Sequence, residues 1–464
     1  MGELRVGRRV VAALAAAPLL LAACSGGDEP AEDASTTPAP TPTTTAPAAQ
    51  VTLEPGVTIP DTRAGEAAGW VLDQLAAAEG PSAEEAQERF AEVFLAQVPA
   101  GQVAGVFDQL RASGPFVVAG YNGAEDAAQL PLEGPEERYI LHVLTDADGR
   151  MNTLFFQGAQ PVPELGSVED LGDAVADLGI DASVLVADGA TCEPLHAREA
   201  DVARPIGSIV KLYVLDAVRQ AVTDGELAWE DTLTLTDDLR SLPSGVLQEE
   251  PAGHEVTVRE AAELMISISD NTATDLLIDA VGREAVLAAV ERLGHHDPEL
   301  LTPLVTTREL FQLAFTDVEL REQWAAADAE GRGEILAGLP GGEVEVDPAL
   351  AQDVVWPQGL DWFATAEDLC RAQVGLQEAE EEGEPVADIL ALNPGIEVPE
   401  GWYVAFKGGS APGELAGSWY LEAEGEAPYV VVLQLAATDL TAVPDAGWMS
   451  DVAGRTAQLL SEEG

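Results

Sequence analysis

The chain has 464 residues, 47% of them hydrophobic, enough to bury sizeable cores and long enough that two folded domains are expected. Its 82 acidic against 22 basic side chains give a formal charge of −60. Such a field repels nucleic acid and anionic lipid, so polyanion binding is not expected, and the charge reads as a heavily hydrated surface.

Residues 1–24 read as a targeting segment. Arg5, Arg8 and Arg9 precede an apolar run over 10–23 that is too short for a comfortable membrane span. The run ends in Leu21-Ala22-Ala23-Cys24, which resembles the lipobox of bacterial lipoproteins. The resemblance implies cleavage before Cys24 and a lipid on that cysteine, leaving the protein anchored on the outer face of the cell membrane. Residues 25–55, rich in Thr, Pro, Ala and Asp, read as a disordered tether.

A first domain is expected over 56–162. Apolar residues at helical spacing predict helices over 65–78 (Trp70, Val71, Leu75) and 83–97 (Phe90, Val93, Phe94). The period then changes. Residues 116–118, 139–144 and 154–156 predict strands, with Asp146-Ala147-Asp148-Gly149 as the turn of a hairpin. Helices followed by an antiparallel sheet make a small α+β fold, in which no acid–base pair or nucleophile stands out.

Pro161, Pro163 and Gly166 mark the boundary to a second domain, 163–464. Ser167-Val168-Glu169-Asp170 predicts a capping box on a helix running to 178, followed by strands over 182–188 and 194–203 around Gly189. Helical patterning continues to about 380. Strands at 402–407, 418–423 and 429–436 and a helix at 448–460 complete an α+β order, an antiparallel sheet flanked by helices. Beyond Cys24 the cysteines are Cys192 and Cys370. An exported compartment permits a disulfide between them, but sequence cannot show that they approach, and two unpaired buried thiols are the expectation. Two cysteines and scattered histidines give no zinc spacing, and the adjacent His295-His296 reads as part of a loop. No metal or cofactor is called for.

The only lysines are Lys211 and Lys407; every other basic side chain except histidine is arginine. Arginine does not deprotonate in a protein, whereas a desolvated lysine can serve as a base. Lys211 closes Ser208-Ile209-Val210-Lys211 at the start of a helix, where N–H groups favour negative charge on the Ser208 oxygen and Lys211 lies on the same face. Ser269-Asp270-Asn271 separates two apolar helices, where its hydroxyl can relay a proton and its amide can hold a carbonyl or a lysine. Lys407-Gly408-Gly409-Ser410 ends an apolar strand, placing a cation beside a pocket, with glycines that let a substrate backbone lie close. Singly, the second motif also fits helix capping and the third a sheet-edge turn.

Together, and in this order, the three motifs resemble the active-serine penicillin-binding protein and class A β-lactamase superfamily, over roughly residues 166–462. The resemblance implies Ser208 as the acylated nucleophile, Lys211 as its activating partner and Ser269 as proton shuttle. Asn271 and Lys407 would hold substrate beside Gly409 and Ser410, and the N–H groups of Ser208 and Ser410 would form the oxyanion hole. Two positions depart from the pattern. Gly408 stands where a carboxylate-binding hydroxyl is usual, unless Ser410 substitutes. Class A enzymes also carry an E-x-x-x-N loop that activates the deacylating water. Asp297-Pro298-Glu299-Leu300 only echoes it, with Leu301 in place of Asn, so solvated loop charges are expected at Asp297 and Glu299. The layout, with Phe406 to Gly413 reading F-K-G-G-S-x-P-G, is similar to two-domain actinobacterial lipoprotein serine hydrolases, one group of which has an NTF2/cystatin-like N-terminal domain and a relative in clavam biosynthesis.

The expectation is an exported serine hydrolase acting on a small acyl substrate (a β-lactam, a peptidoglycan-like peptide or an ester), touching the membrane through its lipid alone. A penicillin-binding or ligand-sensing lipoprotein with slow or no turnover is the main rival. A scaffold whose N-terminal domain does the work is the third reading, and the two retained lysines speak against it.

Overall fold

The computed structural model describes residues 51–463 apart from Pro55, Ala124, Glu136, Pro348 and residues 379–383. The leader, Cys24 and the tether as far as residue 50 lie outside the described residues. The chain divides into two compact units, Met1–Pro161 and Val162–Gly464.

In the first unit, strands Phe116–Val118, Ala127–Glu133, Arg138–Thr145 and Met151–Ala159 form an antiparallel sheet in chain order. Helix Arg63–Ala76 is capped by the Thr62 side chain, which accepts from the Gly65 N–H, and it buries Ala64, Ala68, Val71 and Leu75. These pack in one core with Leu130, Leu132, Leu141 and Val143 of the sheet. The turn after Thr145 closes as expected, with Asp146 N–H donating to the Arg150 carbonyl and Gly149 at φ 76°.

Two sequence expectations are corrected here, and two elements are added. Val51–Leu53, inside the expected tether, is a strand paired in parallel with Phe116–Val118. The helix expected over 83–97 is two, Ala83–Arg89 and Glu92–Leu95, because buried Phe90 is extended and bridges to Met151. Helix Ala100–Arg111 and strand Ala127–Glu133 were not anticipated. The helix buries Val103, Phe107 and Arg111, one face at every fourth residue, and the strand carries Pro131, which reads as a breaker.

The second unit is built on a five-stranded antiparallel sheet in the order Trp402–Ala411, Glu414–Ala423, Tyr429–Ala436, Asp181–Asp188, Pro194–Arg198. Strand Asp181–Asp188 is apolar on both faces because both are covered. Val184 and Val186 face helices Val168–Asp177 and Ala446–Glu463, while Leu185 and Ala187 face helix Lys211–Thr223 and other helices of the insert, the largely helical stretch between strands Pro194–Arg198 and Trp402–Ala411. Ser167 and Asp170 form the capping box. The second strand of the hairpin stops at Arg198, short of the expected 203, where Glu199 takes φ 45°, a conformation no strand continues through.

Cys192 and Cys370 are joined by a disulfide, against the expectation of two free thiols. Cys192 sits in the turn between strands Asp181–Asp188 and Pro194–Arg198, and Cys370 on helix Ala366–Glu378. Their Cα atoms are 6.0 Å apart across 178 residues of chain, a proximity that only the tertiary fold creates. Among the described residues, no helix is long and apolar enough to cross a membrane.

Candidate active site

The site forms where the insert meets the free edge of the sheet. Arg204–Pro205 pairs with Phe363–Ala364, and the Ile206 N–H donates to the Trp362 carbonyl. The chain then turns at Gly207 (φ 48°) into a single 3₁₀ turn, Gly207–Val210, before helix Lys211–Thr223 begins. Ser208 therefore lies on a tight turn ahead of the α-helix, half-buried, with Lys211 fully buried at the first α-helical position.

Ser269 sits between helices Val258–Ser267 and Asn271–Val281 in a left-handed conformation (φ 58°), which costs a non-glycine residue about 1–2 kcal/mol. That conformation turns both its carbonyl and its hydroxyl to Lys211. Lys211 Nζ donates to the Ser269 carbonyl at 2.6 Å, to Ser269 Oγ at 3.0 Å and to Asn271 Oδ1 at 2.7 Å. Lys407 Nζ reaches the same hydroxyl from the other side, at 3.0 Å, and also donates to the Gly408 carbonyl at 2.7 Å. The Ser269 hydroxyl thus lies between the two lysines.

Burial sets the protonation of both amines. Lys211 is held well below the usual lysine range by desolvation, with the charge of Lys407 pushing the same way against the carboxylates of Asp275 and Asp270. Burial alone brings Lys407 down to about 7. A neutral Lys211 amine would keep N–H donors for two of its three partners and expose a lone pair able to accept a proton.

Asp270 braces this arrangement. Its Oδ1 caps the helix through the Ala273 N–H at 2.8 Å, and its Oδ2 accepts from Val246 at 2.6 Å and Leu247 at 2.9 Å. The neighbouring Ser244 hydroxyl donates to the Ser269 carbonyl at 2.8 Å. Asn271 uses its Nδ2 on the Leu242 carbonyl at 3.1 Å, so its amide holds Lys211 and the loop before Ser244 together. Asp275, pushed up to about 6 by burial, accepts from the N–H groups of Thr307 and Arg308, both at 2.9 Å.

Strand Trp402–Ala411 completes the site, and Gly409 lies where chain packs closely against chain. A Cβ there would fall 2.0 Å from the Ile206 carbonyl oxygen and 2.8 Å from the Ser208 nitrogen. Its missing side chain makes room for the turn that carries Ser208. A Cβ on Gly207 would in turn lie 3.0 Å from the Ser410 nitrogen. The backbones that carry the Ser208 and Ser410 N–H groups are therefore side by side. Gly408 has a cause as well: a side chain there would meet the Phe406 ring at 2.8 Å, and Phe406 stacks on Trp419 at 4.9 Å.

The structure does not bring Asp297 or Glu299 to the lysines. Asp297 caps its own turn through the Glu299 N–H at 3.2 Å, and Glu299 is exposed. His295 and His296 do gather with Asp368, their ligand atoms within 4.8 Å of one another. Hydrogen bonds account for the cluster. His295 joins the Phe363 carbonyl and the Asp297 N–H, one with each ring nitrogen, and Asp368 accepts from Thr365, His296 and Arg371 at the start of helix Ala366–Glu378. Two acids, half-buried Asp361 and buried Glu414, lie against the turn that carries Ser208 and had no sequence signal: each is one isolated acid among 82.

Residues 168–349 match the family model described as "Beta-lactamase enzyme family", and residues 59–151 match the one described as "ORF 12 gene product N-terminal". No curated protein matches the chain. Among solved structures, a β-lactamase from Sphaerobacter thermophilus DSM 20745 is similar at 23% identity, covering 63% of this chain and 97% of that one, with TM-score 0.46. PBP-A is similar at 17% identity, covering 65% and 100%, with TM-score 0.44. An ancestral class A β-lactamase is similar at 21% identity, covering 63% and 100%, also with TM-score 0.44. The family match over 168–349 and the helix-flanked antiparallel sheet that gathers the serine and lysine motifs give the second unit a β-lactamase-like fold.

Proposed function

We propose that the protein is a serine hydrolase in which Ser208 is acylated by a small acyl substrate: a β-lactam, a peptidoglycan-like peptide or an ester. The observation that carries this reading is the Ser269 hydroxyl held at 3.0 Å from both Lys211 and Lys407, with Lys211 desolvated. In the proposed reaction Lys211 takes the Ser208 proton and the Ser208 oxygen attacks the carbonyl. The oxyanion is received by the Ser208 and Ser410 N–H groups, and the proton passes through Ser269 to the leaving group. Water then hydrolyses the acyl-enzyme. Lys407 supplies charge for a substrate carboxylate, without help from a hydroxyl at position 408.

A second reading is supported by Asp297, which caps its own turn, and by Glu299, which is exposed. With neither serving as a deacylating base, a β-lactam adduct would persist, and the protein would act as a penicillin-binding sensor. We further propose that lipid on Cys24 tethers the protein to the outer face of the membrane, and that the first unit is an NTF2/cystatin-like domain.

The experiment is incubation with a labelled penicillin and a chromogenic ester, with adducts mapped by mass spectrometry. A Ser208 adduct with turnover supports the hydrolase. A stable Ser208 adduct without turnover supports the sensor. No adduct and no ester hydrolysis, or turnover that survives Ser208→Ala, refutes both.

A further inference from the structure

Glu414 is buried and Asp361 half-buried, and both carboxyl groups lie against Gly207, close enough to interact. Asp361 Oδ1 accepts from the N–H groups of Ile206 at 3.1 Å, Gly207 at 2.9 Å and Trp362 at 2.7 Å. It therefore holds the two residues immediately before the nucleophile. Glu414 opens the strand that pairs with the end of the lysine strand, opposite Ala411. Among the described residues no N–H or other donor reaches either of its oxygens. A Cβ on Gly207 would lie 3.1 Å from Glu414 Oε1 and 3.0 Å from the Ser410 nitrogen.

Two carboxylates cannot both stay ionised in contact inside a protein, so one proton must be shared. Asp361, with its backbone donors, is built to be the anion. Glu414, with none, is built to be the acid that donates to it. We propose that this carboxylic acid–carboxylate pair is a positioning device, a cross-brace that fixes the nucleophile turn against the lysine strand and so sets the spacing of the Ser208 and Ser410 N–H groups. The proposal rests on the acylation reading for its catalytic consequence, and on the contacts of both carboxyl groups with Gly207 for the pair itself.

The proton makes the brace pH-dependent. Burial and the neighbouring Asp361 hold Glu414 well above the ordinary carboxylate range, and burial takes Asp361 to about 6 against its hydrogen bonds; the two titrate as a unit. The charged groups on the elements around them have other partners. Arg204, on the short strand before Ile206, is tied to Ser183, the Ala182 carbonyl and Glu199. Lys407 and Lys211 are tied to Ser269. A raised carboxyl pKa contributes stability that is full below the ordinary carboxylate range and is lost as pH rises through the folded value. Above that value the pair carries two charges, and the brace pushes apart.

The test uses the full mature protein, with wild type, Glu414→Gln and Glu414→Leu compared across pH. The readouts are the acylation rate with a chromogenic acetate ester and the thermal midpoint. Gln keeps a permanent N–H donor toward Asp361. Glu414→Gln is expected to acylate within about threefold of wild type at neutral pH and to lose the alkaline decline in both readouts. Glu414→Leu removes the donor and is expected to lose about tenfold to a hundredfold in acylation rate, with KM little changed. If Leu does not fold, the Gln comparison decides. A Gln variant that keeps the wild-type alkaline decline in both readouts overturns the proposal, as does a Leu variant that acylates normally. A wild type that forms no Ser208 adduct removes the functional reading, while the pH dependence of the thermal midpoint still tests the pair.

Discussion

At the scale of the residue, the site depends on two cations kept where cations are disfavoured. Lys211 and Lys407 are both buried, and each costs stability while it is charged. Lys407, at about 7, is protonated below neutral pH and neutral above it. Its folded value lies below the unfolded one of 10.5, so the unfolded chain binds more protons in between, and stability rises with pH through that window. The matching functional prediction concerns substrate charge. KM for a carboxylate-bearing penicillin should climb above pH 7 as the cation disappears, while KM for a neutral ester should not; steady-state kinetics from pH 6 to 9 reads both. Lys211→Arg should lower acylation by about a hundredfold or more, because a guanidinium cannot accept the Ser208 proton. Turnover that survives the change would remove the base role.

At the scale of the element, short contacts between backbones decide the geometry. Gly409→Ala places a methyl 2.0 Å from the Ile206 carbonyl oxygen, which can yield only if strand or turn moves. It should cost about 1–3 kcal/mol in stability and far more in acylation, since the two oxyanion N–H groups would separate. Chemical denaturation and burst kinetics measure the two effects separately. Asp270→Ala strands the N–H groups of Val246, Leu247 and Ala273, and should destabilise by about 3 kcal/mol or more while loosening the loop at Ser244. These contacts show what sequence could and could not tell. Ser208 and Lys211 are three apart, and Ser269 and Asn271 two apart, so local spacing gave away their shared role. Asp361 is brought under Gly207 across 154 residues, and Glu414 comes from another strand, so no local pattern marks either. Gly409 was legible as a glycine that permits close approach, and the Ile206–Ser208 backbone is one group that approaches it. The strand at Ala127–Glu133 carries Pro131, which has no N–H to give a ladder, so its local pattern is a poor strand signal.

At the scale of the whole molecule, covalent and electrostatic terms act in opposite directions. The formal charge of −60 repels itself, and added salt should raise the thermal midpoint as it screens the surface carboxylates. A calorimetric series in sodium chloride checks this, and a flat response would show that the charges are already locally compensated. The Cys192–Cys370 bond constrains the unfolded chain over 178 residues. Replacing both cysteines by alanine should cost about 2–5 kcal/mol, read from denaturant midpoints under non-reducing conditions.

The same bond also divides the site by connectivity. It closes a ring of chain from 192 to 370, and Ser208, Lys211, Ser269 and Asn271 all lie within that ring. Lys407, Gly409, Ser410 and Glu414 lie on the tail that leaves it. A protease cut inside the ring would release nothing, and the pieces would migrate as one until reduced. A cut between 370 and 407 leaves no disulfide across it, so strand pairing and side-chain contacts alone would hold strand Trp402–Ala411 to the turn at Ser208.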